Sequence, residues 1–280
     1  MKQHTLKSAC SFSGIGLHSG KPVEMQLLPA PEDYGIVFQR SDLGDKALVH
    51  AVVDNVAKTR RCTALAENGV QVRTGEHLLA SLRCMGVDNA LVRLNAEEVP
   101  ILDGSALPYA NALRECGLIE QRADRRYLVV SRHAEYHDPH SGSWIAVDPC
   151  GEMVVDLTVD FKSAMIGRQT ARYDSTIDFA AQVAPARTFC FYREIKWLRL
   201  FGLIKGGSLD NALVIDDRKK RYVGGKTLIF ENEPARHKLL DLLGDFTLAG
   251  LPIQGRITAY KPGHKTNTQA LKQFIADAVL

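Results

Sequence analysis

The sequence lacks the cysteine spacings that build structural metal sites or disulfide frameworks. Its six cysteines are Cys10, Cys62, Cys84, Cys116, Cys150 and Cys190. No two of them are separated by two residues, so the pattern does not favour a structural zinc ribbon. In a chain of 280 residues an even number of cysteines does not indicate disulfides. We therefore expect reduced thiols and a reducing compartment, the cytoplasm.

The sequence also lacks targeting signals and strong charge. Its first eight residues have no apolar core or cleavage site, and no apolar run approaches the ~20 residues that span a bilayer. The net charge of +3 is too small to indicate nucleic acid as a partner. We expect a monomer without a transmembrane segment, which meets lipid from solution or through transient contact with a membrane surface.

The composition is that of an ordinary globular protein, with 45% hydrophobic and 24% charged residues. A chain of this length forms one large domain or two modest ones. A charged segment at 117–127 separates a helical pattern from a strand pattern, so we place a boundary near 122–126. The predicted domains are 1–124 and 125–280.

The hydrophobic periodicity predicts a similar order of elements in both halves. In the first half we predict strands at 5–13, 23–28, 35–39 and 90–94, and helices at 75–85 and 108–116. In the second half we predict strands at 127–130, 143–149, 152–161 and 254–259, and helices at 192–201, 234–243 and 266–279. Runs of strands followed by helices are typical of α+β layers. The repeated order indicates an internal duplication.

The segment 231–245 predicts a helix with a chemically unusual polar face. Pro234 suits its first turn, and Gly244 offers a place for it to end. His237, Asp241 and Asp245 recur every four residues and therefore share one face. A His and an Asp one turn apart can both reach one metal ion. The alternative from this segment alone is a solvated polar face.

Two further histidines are candidates for chemistry. Thr74 is predicted to cap a helix that begins with Glu76 and His77, which would place His77 on a metal and Glu76 beside its water. His264 lies in a turn-rich stretch that we predict to be a loop. An exposed helix start and a solvated histidine are the alternatives.

Two other segments are weaker signals on their own. Thr188 and Phe189 follow Arg187 in a stretch that also suits a strand end with core phenylalanines. The glycine-rich stretch 13–20 has no Walker pattern, so a hairpin turn is the preferred interpretation.

Taken in order, these segments resemble one family. They are S-G-I-G-L-H-S-G (13–20), T-G-E-H (74–77), N-A-E-E-V-P-I-L-D-G-S-A (95–106), R-T-F (187–189), H-K-x-x-D-x-x-G-D (237–245) and G-H (263–264). This ordered set resembles the UDP-3-O-acyl-N-acetylglucosamine deacetylases of lipid A biosynthesis in Gram-negative bacteria. The resemblance covers nearly the whole chain, but Cys190 stands where the family usually has Gly.

The resemblance implies a fold and a metal site. The fold would be two βααβ-type domains of similar topology, packed helix layer to helix layer with the active site between them. Zn²⁺, with Fe²⁺ as its alternative in the cell, would be held by His77, His237 and Asp241. Glu76 would be the general base on the metal-bound water. His264, oriented by Asp245, would be the general acid or cationic stabiliser.

The resemblance also implies how a substrate is held and what reaction follows. Thr188 would stabilise the oxyanion, and the implied substrate-binding residues are Phe189, Lys238, His18, Cys62, Leu17 and Gly207. An acyl-chain passage would lie at 204–208, lined by Ile195, Leu198 and Leu200. The implied reaction removes the N-acetyl group of UDP-3-O-acyl-N-acetylglucosamine.

Three other functions remain open from the sequence. A zinc deacetylase could act on another acetylated amine, and a protein without catalytic activity could bind a sugar nucleotide. A non-haem iron oxygenase also uses two histidines and one carboxylate, although its usual H-x-D/E spacing is not that of His237 and Asp241.

Overall fold

The structure, a computed structural model, describes all residues from 1 to 280 and shows a mixed α/β protein. The strands of the first half are β1 (Lys2–Leu6), β2 (Cys10–Ile15), β3 (Pro22–Pro29), β4 (Ile36–Arg40), β5 (Leu48–His50), β6 (Val56–Lys58), β7 (Ala64–Glu67), β8 (Val70–Arg73), β9 (Ala90–Leu94) and β10 (Leu118–Asp124). Its helices are α1 (Glu76–Cys84) and α2 (Leu107–Cys116).

The second half continues with nine strands and four helices. The strands are β11 (Leu128–Val129), β12 (Ala134–His137), β13 (Trp144–Asp148), β14 (Met153–Asp160), β15 (Arg168–Tyr173), β16 (Phe189–Phe191), β17 (Leu213–Asp216), β18 (Arg221–Tyr222) and β19 (Ile253–Tyr260). The helices are α3 (Phe179–Gln182), α4 (Tyr192–Leu200), α5 (Glu233–Thr247) and α6 (His264–Ala276).

The two halves contain main sheets of the same topology. The first sheet has the order β2-β3-β9-β4-β5, and the second has the order β12-β13-β19-β14-β15, with β11 added beside β19. In each sheet the central strand, β9 or β19, is antiparallel to one neighbour and parallel to the other. The α+β class is therefore confirmed, and the matching strand orders are those that a duplicated unit would have.

Each main sheet buries one face, because alternate side chains of a strand point to the same side. In β3 the buried side chains are Val23, Met25 and Leu27, with exposed residues between them. In β14 the corresponding residues are Val155, Leu157 and Val159. Burial of the apolar faces holds the sheets against the helices.

The helices of the two halves pack against each other. Leu78 and Leu82 of α1 lie in the same hydrophobic core as Leu239 and Leu243 of α5. At the contact, Gly244 of α5 lies so close to α1 that a Cβ atom there would overlap the carbonyl oxygen of Glu76. Glycine therefore permits the close approach of these two helices.

Several boundaries differ from the sequence predictions. The predicted strand at 5–13 is two strands, β1 and β2, with a break between them. Helix α5 continues through Gly244 to Thr247, because packing of both faces overrides the low helix propensity of glycine. The predicted domain boundary near 122–126 falls at the end of β10, which pairs antiparallel with β1.

Small sheets add to the main ones and reach the region of interest. The sheet β6-β7-β8 leads directly into α1, and β16 pairs parallel with β17 in the sheet β16-β17-β18. These short strands were not predicted individually, because runs of two to four residues carry little periodic signal. No helix of the structure combines the length and the apolar character that crossing a bilayer requires.

Candidate metal centre and adjoining cavities

Three side chains from two helices meet in the buried contact between α1 and α5. His77 is the second residue of α1, while His237 and Asp241 lie one turn apart on α5. One ligand atom from each of the three lies within 4.8 Å of the others, and all three residues are buried. The two sequence segments that separately suggested a metal site are therefore brought together by the fold.

The distances within this trio leave room for an ion. Asp241 Oδ1 lies 3.7 Å from His77 Nε2 and 3.6 Å from His237 Nε2, beyond hydrogen-bond range. The two imidazole rings are perpendicular, with centroids 5.1 Å apart. Two imidazole nitrogens and one carboxylate are a donor set typical of catalytic zinc sites.

His237 is held in the form that binds metals. Burial lowers the pKa of its imidazole to about 3, against the opposing effect of Asp241, so the ring is neutral at pH 7. Its Nδ1 lies 3.2 Å from the carbonyl oxygen of Ala186. A hydrogen bond donated by Nδ1 leaves the Nε2 lone pair facing His77 and Asp241.

Asp241 is ionised despite its burial. Desolvation alone would raise the pKa of its carboxyl group, but Lys238 and His237 outweigh it and hold the pKa well below the usual range. Lys238 donates a hydrogen bond of 2.7 Å to Asp241 Oδ2, leaving Oδ1 towards the two histidines. The trio therefore offers a negative charge to a cation.

Glu76 lies beside the trio at the first residue of α1. Its Oε2 is buried without a hydrogen-bond partner, and burial raises the pKa of the carboxyl group above its ordinary value. Its Oε1 lies 3.8 Å from His264 Nε2. An unpartnered buried carboxylate oxygen with a raised pKa is suited to accepting a proton from a bound molecule.

His264 forms a buried ion pair on the other side of Glu76. Its Nδ1 lies 2.8 Å from Asp245 Oδ2, and the residue begins α6 rather than lying in the predicted loop. Burial opposes the charge on this imidazole, but Asp245 with Asp241 and Glu76 outweighs it and raises the pKa to about 9. In the metal-free chain His264 is therefore protonated at pH 7.

Two residues that the sequence did not single out fix Asp245. Thr63 Oγ1 donates to Asp245 Oδ1 at 2.5 Å, and Asn267 Nδ2 donates to Asp245 Oδ2 at 2.8 Å. Asn267 follows His264 by three residues on α6, so helical spacing could have identified it. Nothing in the sequence near Thr63 indicated its role, because it lies just before β7 and is 182 residues from Asp245 along the chain.

Thr74 does not cap α1 as predicted. The N-cap position is Gly75, and no side chain accepts a hydrogen bond there. Thr74 instead adopts a left-handed conformation, with φ of 58°, and its hydroxyl donates to Glu98 Oε1 at 2.9 Å. This strained residue turns the chain from β8 into α1, which delivers Glu76 and His77 to the site.

Thr188 and Phe189 lie on the wall of the site. The backbone of Thr188 is held between the Gly104 carbonyl oxygen, at 2.7 Å, and the Leu213 amide, at 2.8 Å. The Phe189 ring makes an edge contact with His237, with centroids 6.0 Å apart. The preceding Arg187 is anchored by an ion pair of 2.8 Å with the buried Glu233.

Two cavities meet at this wall. The first, of about 440 Å³, opens over the metal trio and is mostly polar; among its lining residues are Glu76, His77, Thr188, His237, Lys238, Asp241, Lys261, His264 and Lys265. The second, of about 410 Å³, is mostly apolar; among its lining residues are Ile195, Leu198, Ile204, Gly207, Leu209 and Val214. Leu17, Arg61, Thr188 and Phe189 line both.

The glycine-rich segment forms the rim between the two cavities. It connects β2 and β3, as the hairpin interpretation predicted. The buried carboxylate of Glu98 accepts hydrogen bonds from the His18 and Ser19 amides, both at 2.8 Å. The Leu17 carbonyl oxygen accepts a hydrogen bond of 3.0 Å from the Gly206 amide. This bond connects the rim to the segment 204–208, where the resemblance implies an acyl-chain passage.

His18, Gly207 and Ile195 line the apolar cavity. Burial lowers the pKa of His18, whose Nδ1 accepts from the Ile204 amide at 3.4 Å. Leu200 is not a lining residue, because it faces away from the cavity with 70% exposure.

The cysteines near the site are not reactive groups. Cys62 is buried and lines neither cavity, and burial raises the pKa of its thiol to about 12. Cys190 lines the apolar cavity, and burial raises the pKa of its thiol to about 11. Both therefore stay protonated at pH 7.

Known proteins match this chain over nearly its whole length. The family model described as UDP-3-O-acyl N-acetylglycosamine deacetylase matches residues 3–276. A protein of Anaeromyxobacter named UDP-3-O-acyl-N-acetylglucosamine deacetylase is 44% identical, covering 98% of this chain and 89% of the relative. A protein of the same name from Haemophilus influenzae is 38% identical, covering 99% and 91%.

A longer relative also matches. The Porphyromonas gingivalis protein named bifunctional enzyme LpxC/FabZ is 43% identical over 96% of this chain, and the match spans 63% of that relative. The chain thus spans less than two thirds of the bifunctional relatives that it matches. The extent of the family match and the identity to several relatives agree with the ordered motifs. This chain belongs to the UDP-3-O-acyl N-acetylglycosamine deacetylase family.

Proposed function

We propose that this chain hydrolyses the N-acetyl group of UDP-3-O-acyl-N-acetylglucosamine, releasing acetate and the free amine in lipid A biosynthesis. The observation that carries the proposal is the position of the buried His77–His237–Asp241 trio, beside a polar cavity that opens into an apolar one. The substrate has a charged nucleotide, an amide and an acyl chain. The polar cavity would suit the nucleotide, the metal trio would suit the amide, and the apolar cavity would suit the acyl chain.

The proposed metal ligands are His77, His237 and Asp241. Their fit to a divalent cation rests on the neutral imidazole of His237, the ionised Asp241 and ligand atoms that are close but not hydrogen-bonded to each other. When bound, zinc supplies a Lewis acid that polarises the amide carbonyl and lowers the pKa of water from about 15.7 to about 7. Iron(II) is the alternative for the same donor set.

Glu76 is the proposed general base. Its unpartnered Oε2 accepts the proton of the attacking water, and the raised pKa brings the carboxylate closer to the working pH. The Oε1 atom of the same side chain lies 3.8 Å from His264 Nε2, so the proposed proton acceptor and proton donor lie side by side in the site.

His264 is the proposed general acid or cationic stabiliser. The departing amine needs a proton, and the imidazolium, held by Asp245 at 2.8 Å, supplies it from Nε2. Thr188 is proposed to donate a hydrogen bond to the developing oxyanion. Its backbone is fixed on both sides by hydrogen bonds with Gly104 and Leu213.

The remaining residues are proposed to hold the substrate. Lys238 and Phe189 border the polar cavity and would contact the sugar nucleotide, while Leu17, His18 and Gly207 border the apolar cavity. The apolar cavity would hold the 3-O-acyl chain. Cys62 is buried and lines neither cavity, so any effect of Cys62 on substrate binding would be transmitted through its neighbours.

We also propose that residues 1–124 and 125–280 form two domains. Each range contains one of the two main sheets of matching strand order, and the α1–α5 contact joins them. The metal trio draws one ligand from the first range and two from the second.

Acetate release from the acylated UDP-sugar, measured with and without a chelator, tests the proposed function. We expect release to stop on chelation and to return with added Zn²⁺ or Fe²⁺. Tight nucleotide-sugar binding that survives chelation without acetate release would indicate a binding protein. Equal turnover without the 3-O-acyl chain would indicate a deacetylase of another amine.

A further inference from the structure

The outer side of α4 exposes large apolar side chains. Tyr192, Trp197 and Leu200 are 57%, 61% and 70% exposed, and Phe201, which follows the helix, is 61% exposed. A group of this size on the surface of one short helix is uncommon without an interaction partner. The feature is therefore a candidate docking surface.

The same side of α4 is positively charged. At about 100° per residue, Arg193 and Lys196 interleave with the apolar side chains, and Arg199 lies at their edge, where it also borders the apolar cavity. We call the combined surface the α4 outer face; its members are Tyr192, Arg193, Lys196, Trp197, Arg199, Leu200 and Phe201. Neither Lys196 nor Arg199 has an acidic side chain within 4.0 Å, and the guanidinium of Arg60 lies 5.2 Å from the Phe201 ring centroid.

Acidic groups do not neutralise this face. Glu194, the only acid of α4, lies at the edge of this face beside Trp197 and Phe201, but its carboxylate is paired with Arg61 at 3.0 Å. Arg193 reaches Asp217 at 3.3 Å, which balances one of the helix's three cations. The face therefore presents a net positive charge together with aromatic rings.

We propose that the α4 outer face docks onto an anionic phospholipid membrane surface. Helices that lie in a membrane interface combine basic side chains with Trp, Phe and Leu, and tryptophan and tyrosine favour the headgroup level. A second copy of this face would bring like charges together. An anionic bilayer satisfies both the cations and the apolar side chains.

The inner side of α4 adds a reason for this placement. Ile195 and Leu198 point inwards and line the apolar cavity, next to Ile204 and Leu209. One short helix therefore separates the proposed membrane surface from the cavity that leads to the metal trio. For the acylated substrate proposed above, docking would place the apolar cavity beside the hydrocarbon region of the membrane, where an acyl chain is most stable. The docking itself does not depend on that function.

Intrinsic fluorescence provides a direct probe. The chain has two tryptophans, and Trp144 stacks with Tyr260 while Trp197 lies on the α4 outer face. A Trp144→Phe variant leaves Trp197 as the only tryptophan emitter. We expect its emission to shift to the blue on adding vesicles of phosphatidylcholine with phosphatidylglycerol, and not with phosphatidylcholine alone. High salt should reverse the shift.

A matched pair of variants tests the surface in flotation with the same vesicles. Lys196→Glu with Leu200→Ser should weaken binding more than about tenfold, since each basic residue and each buried apolar side chain adds to the affinity. The control is Lys46→Glu with Leu43→Ser, in the turn after β4, where both side chains are also exposed. The control variant should bind as the unaltered chain does.

Three outcomes would overturn the proposal. The first is the absence of binding to anionic vesicles, and the second is an equal loss of binding in both double variants. The third is a blue shift that grows with protein concentration in the absence of vesicles, because this would identify a second copy of the chain as the occupant of the face. Acetate release from a short-chain substrate in solution should be unchanged in both variants, so failure of docking stays distinguishable from failure of the proposed function.

Discussion

Replacing Gly244 by alanine tests how the contact between α1 and α5 builds the site. The new Cβ would lie 2.8 Å from the Glu76 carbonyl carbon and 3.0 Å from its Cα, and closer still to the carbonyl oxygen. Ordinary contacts between carbon atoms need ~3.5–4.0 Å, so the helices must separate by roughly 1 Å. That movement would shift Glu76 and His77 relative to His237 and Asp241.

Two effects of opposite sign compete in this variant. Helix propensity alone predicts that alanine stabilises a helix by about 1 kcal/mol relative to glycine. Overpacking of a filled contact costs about 1–3 kcal/mol, and the atom that is struck is backbone, which cannot rotate away. We expect overpacking to win, with a lower free energy of unfolding. A displacement near 1 Å should also lower kcat by about 100-fold.

Thermal unfolding, metal content and acetate release measure these effects together. Gly151→Ala is the matched control, because a Cβ at Gly151 meets nothing within 4 Å and no unusual φ is required there. A Gly244→Ala protein that unfolds at a higher temperature than the unaltered chain, with full metal content and unchanged kcat, would refute the reasoning.

Three further predictions concern the side chains of the site. His264→Ala should lower kcat by about 10²–10⁴ while metal content stays full, and metal loss would contradict its role as acid. Asp241→Ala should lose the metal, as measured by metal analysis of the dialysed protein, and full occupancy would remove Asp241 from the ligand set. Activity should follow a bell-shaped pH profile, with the basic limb set by His264, whose pKa in the metal-free chain is raised to about 9. Asp245→Asn removes the main cause of that raised pKa, so the basic limb should move to lower pH, and an unmoved limb would contradict the assignment.

The same ion pair couples pH to the stability of the metal-free fold. The folded-state pKa of His264, about 9, lies above the ordinary value of 6.5. Its stabilising contribution is therefore complete below about pH 6.5 and is lost as the pH rises through about 9. A divalent cation bound to the adjacent trio would repel the imidazolium and reduce this contribution.

The sequence predicted the long elements well because they carry strong periodic patterns. The strand at 90–94 matches β9, and the helix predicted at 75–85 is α1 within a residue at each end. The pattern of His237 and Asp241 on one helical face was also readable. The proximity of His77 to this pair could not be read from the sequence, because no local pattern specifies which helices pack together. Only the family resemblance indicated that the two segments form one site.

The differences have identifiable physical causes. Gly244 looked like a helix end, yet it lies inside α5 because α1 packs against it too closely for any side chain. Thr74 looked like a helix cap, yet its hydroxyl donates a hydrogen bond to Glu98, which lies 24 residues later in the chain. Thr63 escaped notice because its partner Asp245 is 182 residues away. For Gly244 and Thr74 a tertiary contact overrides a local signal, and for Thr63 a tertiary contact exists without any local signal.

Calorimetric titration of the metal-free chain with Zn²⁺ tests the central claim most directly. The claim is that one imidazole from α1 and an imidazole and carboxylate from α5 form a single site. The unaltered chain should bind one ion tightly, and His77→Ala, His237→Ala and Asp241→Ala should each abolish tight binding while the fold is retained by circular dichroism. A His77→Ala chain that still binds one ion with unchanged affinity would contradict the claim.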